Sequence, residues 1–170
     1  METFPVIATH HLGTLLHTRG LSASDQTVEH VLGAFQDVQP HPDVAEGLLA
    51  ARESALPAAT LTNGTAEITR GFLDRAGLGG LVEVALEARR SGVWKPHRQA
   101  YRWAAGKLGH EPRRLLLVTL HPWDVHGAIR AGLQAAWLNC DGEDYPDHFR
   151  GRHIQAASLA QVVAAATQTG

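Results

Sequence analysis

Cysteine is almost absent from this chain: of 170 residues, Cys140 alone carries a thiol. A single thiol excludes an intramolecular disulfide framework and fits a reducing, cytoplasmic setting. No stretch approaches the roughly 18 consecutive apolar residues of a membrane span, and no basic region followed by an apolar segment opens the chain. Neither a spanning helix nor a secretory leader is therefore expected. Charge of one sign is not in excess either. Fifteen Lys and Arg stand against seventeen Asp and Glu, intermixed along the chain, for a formal charge of −2. That balance leaves no electrostatic footprint for nucleic acid. Two phosphate-cradling signatures are missing as well. No Gly-x-Gly-x-x-Gly follows the first apolar run, which argues against a dinucleotide site, and no Gly-x-x-x-x-Gly-Lys-Ser/Thr exists to hold a nucleotide triphosphate. Internal repeats and low-complexity tracts are also lacking.

What is present is enough apolar material, 44% of residues, for one domain over residues 1–170 and too little chain for two. The organising stretch is Leu115-Leu116-Leu117-Val118 followed by Thr119-Leu120-His121-Pro122-Trp123-Asp124. Four aliphatic residues without alternation predict a strand buried on both faces, as inside a parallel sheet. Its polar exit leads straight into a helix, at the edge where open α/β sheets bind ligands.

The same alternation runs through the rest of the chain. Phe4 to Ala8 reads as a first strand, and Pro57 to Leu61, Leu81 to Leu86 and Ala135 to Asn139 as others. Between them, helices are expected over Thr27 to Phe35, Val44 to Ala55, Ala66 to Ala76 and His97 to Leu108, with a small-residue helix over Leu159 to Thr167 at the end. On the first of these helices Val28, Val31, Leu32 and Phe35 share one face, with Ser24 or Asp25 as its cap. Residues 141–153 read as irregular. Strands alternating with helices favour a Rossmann-like parallel sheet of about five strands with helices on both faces.

Three spaced motifs then carry a resemblance. Leu61-Thr62-Asn63-Gly64-Thr65, Val93-Trp94-Lys95-Pro96 with Tyr101 after it, and Leu117-Val118-Thr119 through Trp123-Asp124-Val125-His126-Gly127-Ala128 resemble the haloacid dehalogenase superfamily. The 2-haloacid dehalogenase branch, whose fourth motif also has Trp-Asp-x-x-Gly-Ala, is the nearest in pattern. Gly13-Thr14-Leu15 is read as the Gly-Thr-Leu of the first motif. The resemblance covers most of residues 40–140 and implies the superfamily core.

It also implies roles for residues. Thr14 and Thr62 match hydroxyls near an anionic substrate, Asn63 the amide of the second motif, and Lys95 the lysine that neutralises charge around nucleophile and substrate. Asp124 matches the last acid of the fourth motif, which orients that lysine and the hydrolytic water. Thr119 stands for a serine and His121 for an asparagine of the fourth motif, with Trp123 beside them. Three departures accompany the matches. The nucleophilic Asp position falls on His10, and the positions of two further acids of phosphatase relatives fall on Leu12 and Leu120. Only about 25 residues separate Leu16 from His41, so a short helical insert over residues 17–39 stands in place of a full cap.

The sequence thus predicts a haloacid dehalogenase-like hydrolase acting on small 2-haloacids by hydrolytic carbon–halogen cleavage, impaired by His10. The alternatives are an inactive module that binds an anion or a protein, and a metal site. For the latter, His10 or His11 would join His121 and Asp124, although no His-Glu-x-x-His spacing supports it. No cofactor is otherwise expected. The expected partner is a small carboxylate or phosphate, with no nucleic acid or membrane, and a homodimer is allowed. Ordinary turn and cap chemistry would also account for Thr14, Thr62 and Asn63, surface exposure for Lys95, and packing for Trp123.

Overall fold

The computed structural model describes residues 2–34, 38–149, 151 and 153–168. The first expected strand is a helix. Residues Phe4–Thr18 form α1, entered through an extended Thr3 and with Pro5 in its first turn, where a missing N–H costs nothing. A five-residue apolar run cannot by itself separate strand from helix. Here the apolar positions continue at Leu12, Leu15 and Leu16, the i, i+3, i+4 spacing of a helix face, and the element grows to fifteen residues. A second helix, α2 (Asp25–Gly33), follows and packs on it. Ser24 caps α2, its hydroxyl accepting from the Thr27 N–H at 3.2 Å. The two-helix layer therefore starts at Phe4, earlier than the insert expected over residues 17–39. The expected end of the second helix, Phe35, lies outside the described residues.

From residue 44 onward the α/β alternation holds. The order is α3 (Val44–Glu53), β1 (Ala59–Thr62), α4 (Ala66–Arg75), β2 (Val84–Glu87) and α5 (Arg98–Leu108). Then come β3 (Leu116–Thr119), α6 (Pro122–Ala131), β4 (Gln134–Leu138), β5 (Ile154–Ala156) and α7 (Leu159–Thr167). Every pairing is parallel. β1 runs beside β2 with Ala59 opposite Val84, β3 beside β4 with Leu116 opposite Gln134, and β4 beside β5 with Ala136 opposite Ile154. β5 is a strand the sequence reading did not contain, so the fifth strand stands at the end of the chain and not at its beginning.

The strands divide into a pair, β2-β1, and a triplet, β3-β4-β5, with no ladder between β1 and β3 among the described residues. This explains a second correction. β3, expected to be buried on both faces, is half-buried along its whole length, and β4 takes the interior place with Ala135, Ala136 and Trp137 buried. Tyr101, Val125, Ala128, Ala131, Ala135 and Trp137 form the core, and Leu61 of β1 and Leu117 of β3 both pack against it.

Two close approaches lock the helices. Gly127 lets α6 come so near that an added Cβ would lie 2.6 Å from the Tyr101 hydroxyl and 2.8 Å from the Pro96 carbonyl oxygen. Asp43, at the start of α3, makes no side-chain bond to its own helix. Its carboxylate instead accepts from the Leu159 N–H at 2.7 Å, tying the start of α7 to the start of α3, and from His41 at 2.6 Å. Burial alone would raise the Asp43 carboxyl, but the Leu159 amide and His41 outweigh it and hold the group below its ordinary range. No described helix is long and apolar enough to cross a membrane.

Candidate active site

The chemistry collects at the carboxyl ends of β1 and β3. β1 ends at Thr62, and the chain then turns so that the Thr62 hydroxyl accepts from the Gly64 N–H at 2.9 Å. That turn presents Asn63. Its side-chain amide donates to the Lys95 carbonyl at 3.0 Å and its oxygen accepts from the Lys95 N–H at 2.8 Å. A residue 32 positions away is thereby held by both its backbone polar groups. Lys95 precedes Pro96 through a cis peptide, and its Nζ donates to Asp124 Oδ2 at 2.8 Å.

Asp124 stands in the first turn of α6, directly after β3, and is 1% exposed. Its other oxygen, Oδ1, accepts from the buried Tyr101 hydroxyl of α5. Both carboxylate oxygens are therefore committed, one to a cation and one to a phenol. Charge-assisted bonds of this kind are the stronger hydrogen bonds in proteins. Burial first, and then the donated bond and the negative charge of Asp124, push the Tyr101 phenol far above its ordinary range, so it remains a neutral donor. The resulting chain, Asn63 to Lys95 to Asp124 to Tyr101, joins the exits of β1 and β3 with α5 and α6. An ammonium offers three N–H donors, and the Lys95 side chain, 12% exposed, directs one of them to Asp124.

The remaining expected residues are placed less evenly. Thr62, Asn63, Lys95, Thr119 and Asp124 lie on the β1 and β3 exits and the loop before α5. The Thr119 hydroxyl accepts from the His121 N–H at 3.2 Å, an ordinary turn contact. His121 is exposed and stacks on the Trp123 ring, with centroids 5.1 Å apart. His10 and Thr14 are not brought to this place by any recorded contact. Both are exposed on α1, where Thr14 Oγ1 donates to the His10 carbonyl at 3.1 Å and the His10 ring meets His11 edge-on. The assignment of His10 to the end of a first strand fails because that strand does not exist. The histidine metal site fails with it: among the described residues no three His, Cys, Asp or Glu side chains are grouped to hold an ion.

Tyr101 is the residue of this cluster that sequence reasoning undervalued. It was visible as the aromatic following Lys95-Pro96, six positions beyond the lysine, but nothing in that spacing says that its hydroxyl reaches Asp124. Gly127 was likewise visible as part of the Trp-Asp-x-x-Gly-Ala pattern, and the structure supplies its reason.

A model of the haloacid dehalogenase-like hydrolase family matches residues 2–132. The chain belongs to that family. Haloacetate dehalogenase H-2 of Moraxella sp. (strain B) is 31% identical over 102 residues, which cover 60% of this chain and 46% of that protein. (S)-2-haloacid dehalogenase 2 of Pseudomonas sp. (strain CBS-3) is 26% identical over 152 residues, covering 86% of this chain and 66% of that one. The chain thus spans about half to two thirds of the length of these curated relatives. Among solved structures, L-2-haloacid dehalogenase from Xanthobacter autotrophicus, with chloropropionic acid covalently bound, superposes with a TM-score of 0.90 at 19% identity. The match covers 99% of this chain and 78% of that one. At that identity the likeness establishes the haloacid dehalogenase-like fold and nothing finer.

Proposed function

We propose that the polar cluster at the exits of β1 and β3 binds small 2-halocarboxylates and that this chain, acting alone, turns them over poorly or not at all. The observation that carries this reading is the Lys95–Asp124 pair at 2.8 Å, clamped from one side by Asn63 and from the other by Tyr101. A fixed ammonium with N–H groups to spare attracts a carboxylate, and the neighbouring Thr62 and Thr119 hydroxyls add polar contacts. Relatives named as 2-haloacid and haloacetate dehalogenases support the substrate class.

Turnover asks for more. By covalent catalysis, halide is displaced from the α-carbon by a carboxylate nucleophile, forming an ester that water then cleaves. Asp124 is not available for that role, because both its oxygens are engaged and it is almost fully buried. His10, the residue first matched to the nucleophile position, lies on an exposed helix. On this reading the impairment comes from the folding of residues 4–18 as a helix, which leaves His10 away from Lys95 and Asp124 in every contact of the described residues.

Calorimetric titration with 2-chloropropionate, paired with a halide-release assay, tests both halves. Binding at millimolar concentration or tighter is expected, lost in Lys95→Ala, with halide release at background in the wild type and in His10→Asp alike. No binding at millimolar levels refutes the site. Robust halide release that Lys95→Ala abolishes and His10→Ala leaves untouched refutes the impairment and points to direct activation of water.

A further inference from the structure

The turn that presents Asn63 carries a chemistry of its own, independent of any ligand. The chain has two asparagines, Asn63 and Asn139, and only Asn63 is followed by a glycine. Asparagine is a thermolabile residue, and a following glycine makes it more so. Without a Cβ to obstruct it, the glycine nitrogen can reach the asparagine side-chain carbon. In an open chain, Asn63-Gly64 is therefore the pair most prone to modify itself.

The fold holds the two reacting atoms in other bonds. The nucleophile would be the Gly64 nitrogen, and its N–H donates to the Thr62 hydroxyl at 2.9 Å. A Cβ added to Gly64 would lie 3.2 Å from that same oxygen, so the hydroxyl sits close against this residue. The electrophile would be the Asn63 side-chain carbon. Its amide donates to the Lys95 carbonyl at 3.0 Å and its oxygen accepts from the Lys95 N–H at 2.8 Å. The carboxamide cannot turn onto Gly64 without releasing both bonds. Lys95 is tethered in its turn, through Nζ to the buried Asp124.

We infer that Asn63-Gly64 is a guarded deamidation site, blocked by Thr62 and Lys95 in the folded chain and released when the turn opens. The Gly64 nitrogen gives up its proton to hydroxide and bonds to Asn63 Cγ. The Cγ–Nδ2 bond breaks, and the nitrogen leaves as ammonia with a proton from water. Water then opens the five-membered imide at either carbonyl, giving an aspartyl residue or its isoaspartyl isomer. Water is the only co-reactant. A carboxylate accepts but does not donate, so the product has no partner for the Lys95 carbonyl and sets a negative charge against it. The reaction thus undoes the clamp on Lys95.

The test incubates the full chain in mildly alkaline buffer, folded and also unfolded in guanidinium chloride, and follows the tryptic peptide of residues 53–70 by mass spectrometry. Asn63 is the only amide side chain in that peptide, so a gain of one mass unit reports it alone. The folded chain is expected to react at least tenfold more slowly than the unfolded one. Thr62→Val keeps the branched shape, removes the acceptor and should raise the folded-state rate at least tenfold. Thr62→Ser keeps the hydroxyl and should stay slow. Fluorescence melts establish that each variant is folded during incubation. If Thr62→Val does not fold, the folded-against-unfolded ratio of the unsubstituted chain decides. Folded and unfolded rates within tenfold of each other overturn the inference. So does a folded Thr62→Val chain as slow as the unsubstituted one, or a Thr62→Ser chain as fast as Thr62→Val. The reacted fraction, separated by anion exchange on its added charge, should melt about 2–4 °C lower or more for a chain of this size. An unchanged melting temperature overturns the claim that the reaction undoes the clamp. No ligand enters any of these measurements, so carboxylate binding at Lys95 stands or falls separately.

Discussion

Replacing Lys95 with methionine removes the cation and keeps most of the side-chain volume. It leaves Asp124, whose side chain is 2% exposed, with the Tyr101 hydroxyl as its remaining side-chain donor. Breaking a buried pair by deleting one partner typically costs about 3–5 kcal/mol, because the other charge stays buried and uncompensated. The reverse deletion is milder. In Asp124→Asn the amide oxygen still accepts from Tyr101, and Lys95, with 12% of its side chain exposed, has a route to water. A cost of about 2 kcal/mol is reasonable for that loss of a charge-assisted bond. The double variant removes both charges at once and should cost little more than Asp124→Asn alone. The coupling energy is then about 3–5 kcal/mol less the small excess of the double variant, at or above the top of the range measured for residues in direct contact. Since small domains hold about 5–15 kcal/mol of stability, all three variants should remain folded enough to measure. Urea unfolding followed by tryptophan fluorescence, with a common slope across the four proteins, gives the cycle. Costs that add to within about 0.5 kcal/mol would refute the claim that the two side chains form one buried, interdependent unit.

Two further outcomes follow from other contacts. Gly127→Ala gains about 1 kcal/mol of helix propensity but drives a methyl into the Tyr101 hydroxyl and the Pro96 carbonyl at 2.6 and 2.8 Å. A net loss of about 1–2 kcal/mol is expected from overpacking, together with weaker 2-chloropropionate binding by calorimetry, and an unchanged or raised melting temperature would contradict the close approach. Asp43 is held below its ordinary carboxylate value of 3.8, so the native state binds fewer protons there than the unfolded chain. Its contribution is full above the ordinary value and is lost as pH falls through the lower folded one. Asp43→Asn should therefore flatten the decline of stability below about pH 4 in thermal melts run across pH.

Much of the core was legible because its elements are long and punctuated. Ser24 before Thr27, Thr65 before Ile68 and Gly109 after Leu108 mark helix ends in the sequence and do so in the structure. The site was legible for a different reason: Asn63, Lys95 and Asp124 sit at strand exits or just before helices, and a parallel fold brings such exits to one edge. What the sequence did not show depends on context. Phe4 to Ala8 is apolar enough for a strand, and only the further run to Leu16 makes it a helix. β5 is three residues long, too short for any period to register.

The error at the amino end and the half-burial of β3 are one physical fact seen twice. Reading Phe4 to Ala8 as a strand supplied the sheet with a fifth strand. That stretch folds as α1, and among the described residues β3 and β1 each keep an open edge. The aliphatic run Leu115 to Val118 was read correctly as material for a sheet interior, and it ends up half-exposed because one flank lacks a partner. Meanwhile the polar exits remain tied, since Asn63, Lys95, Asp124 and Tyr101 need only the loops and helix starts that carry them. Under the proposed function, anion recognition and the covalent step of the family would be separable in this chain. Recognition would rest on groups already fixed by hydrogen bonds, and the covalent step on a carboxylate that no described strand delivers to them.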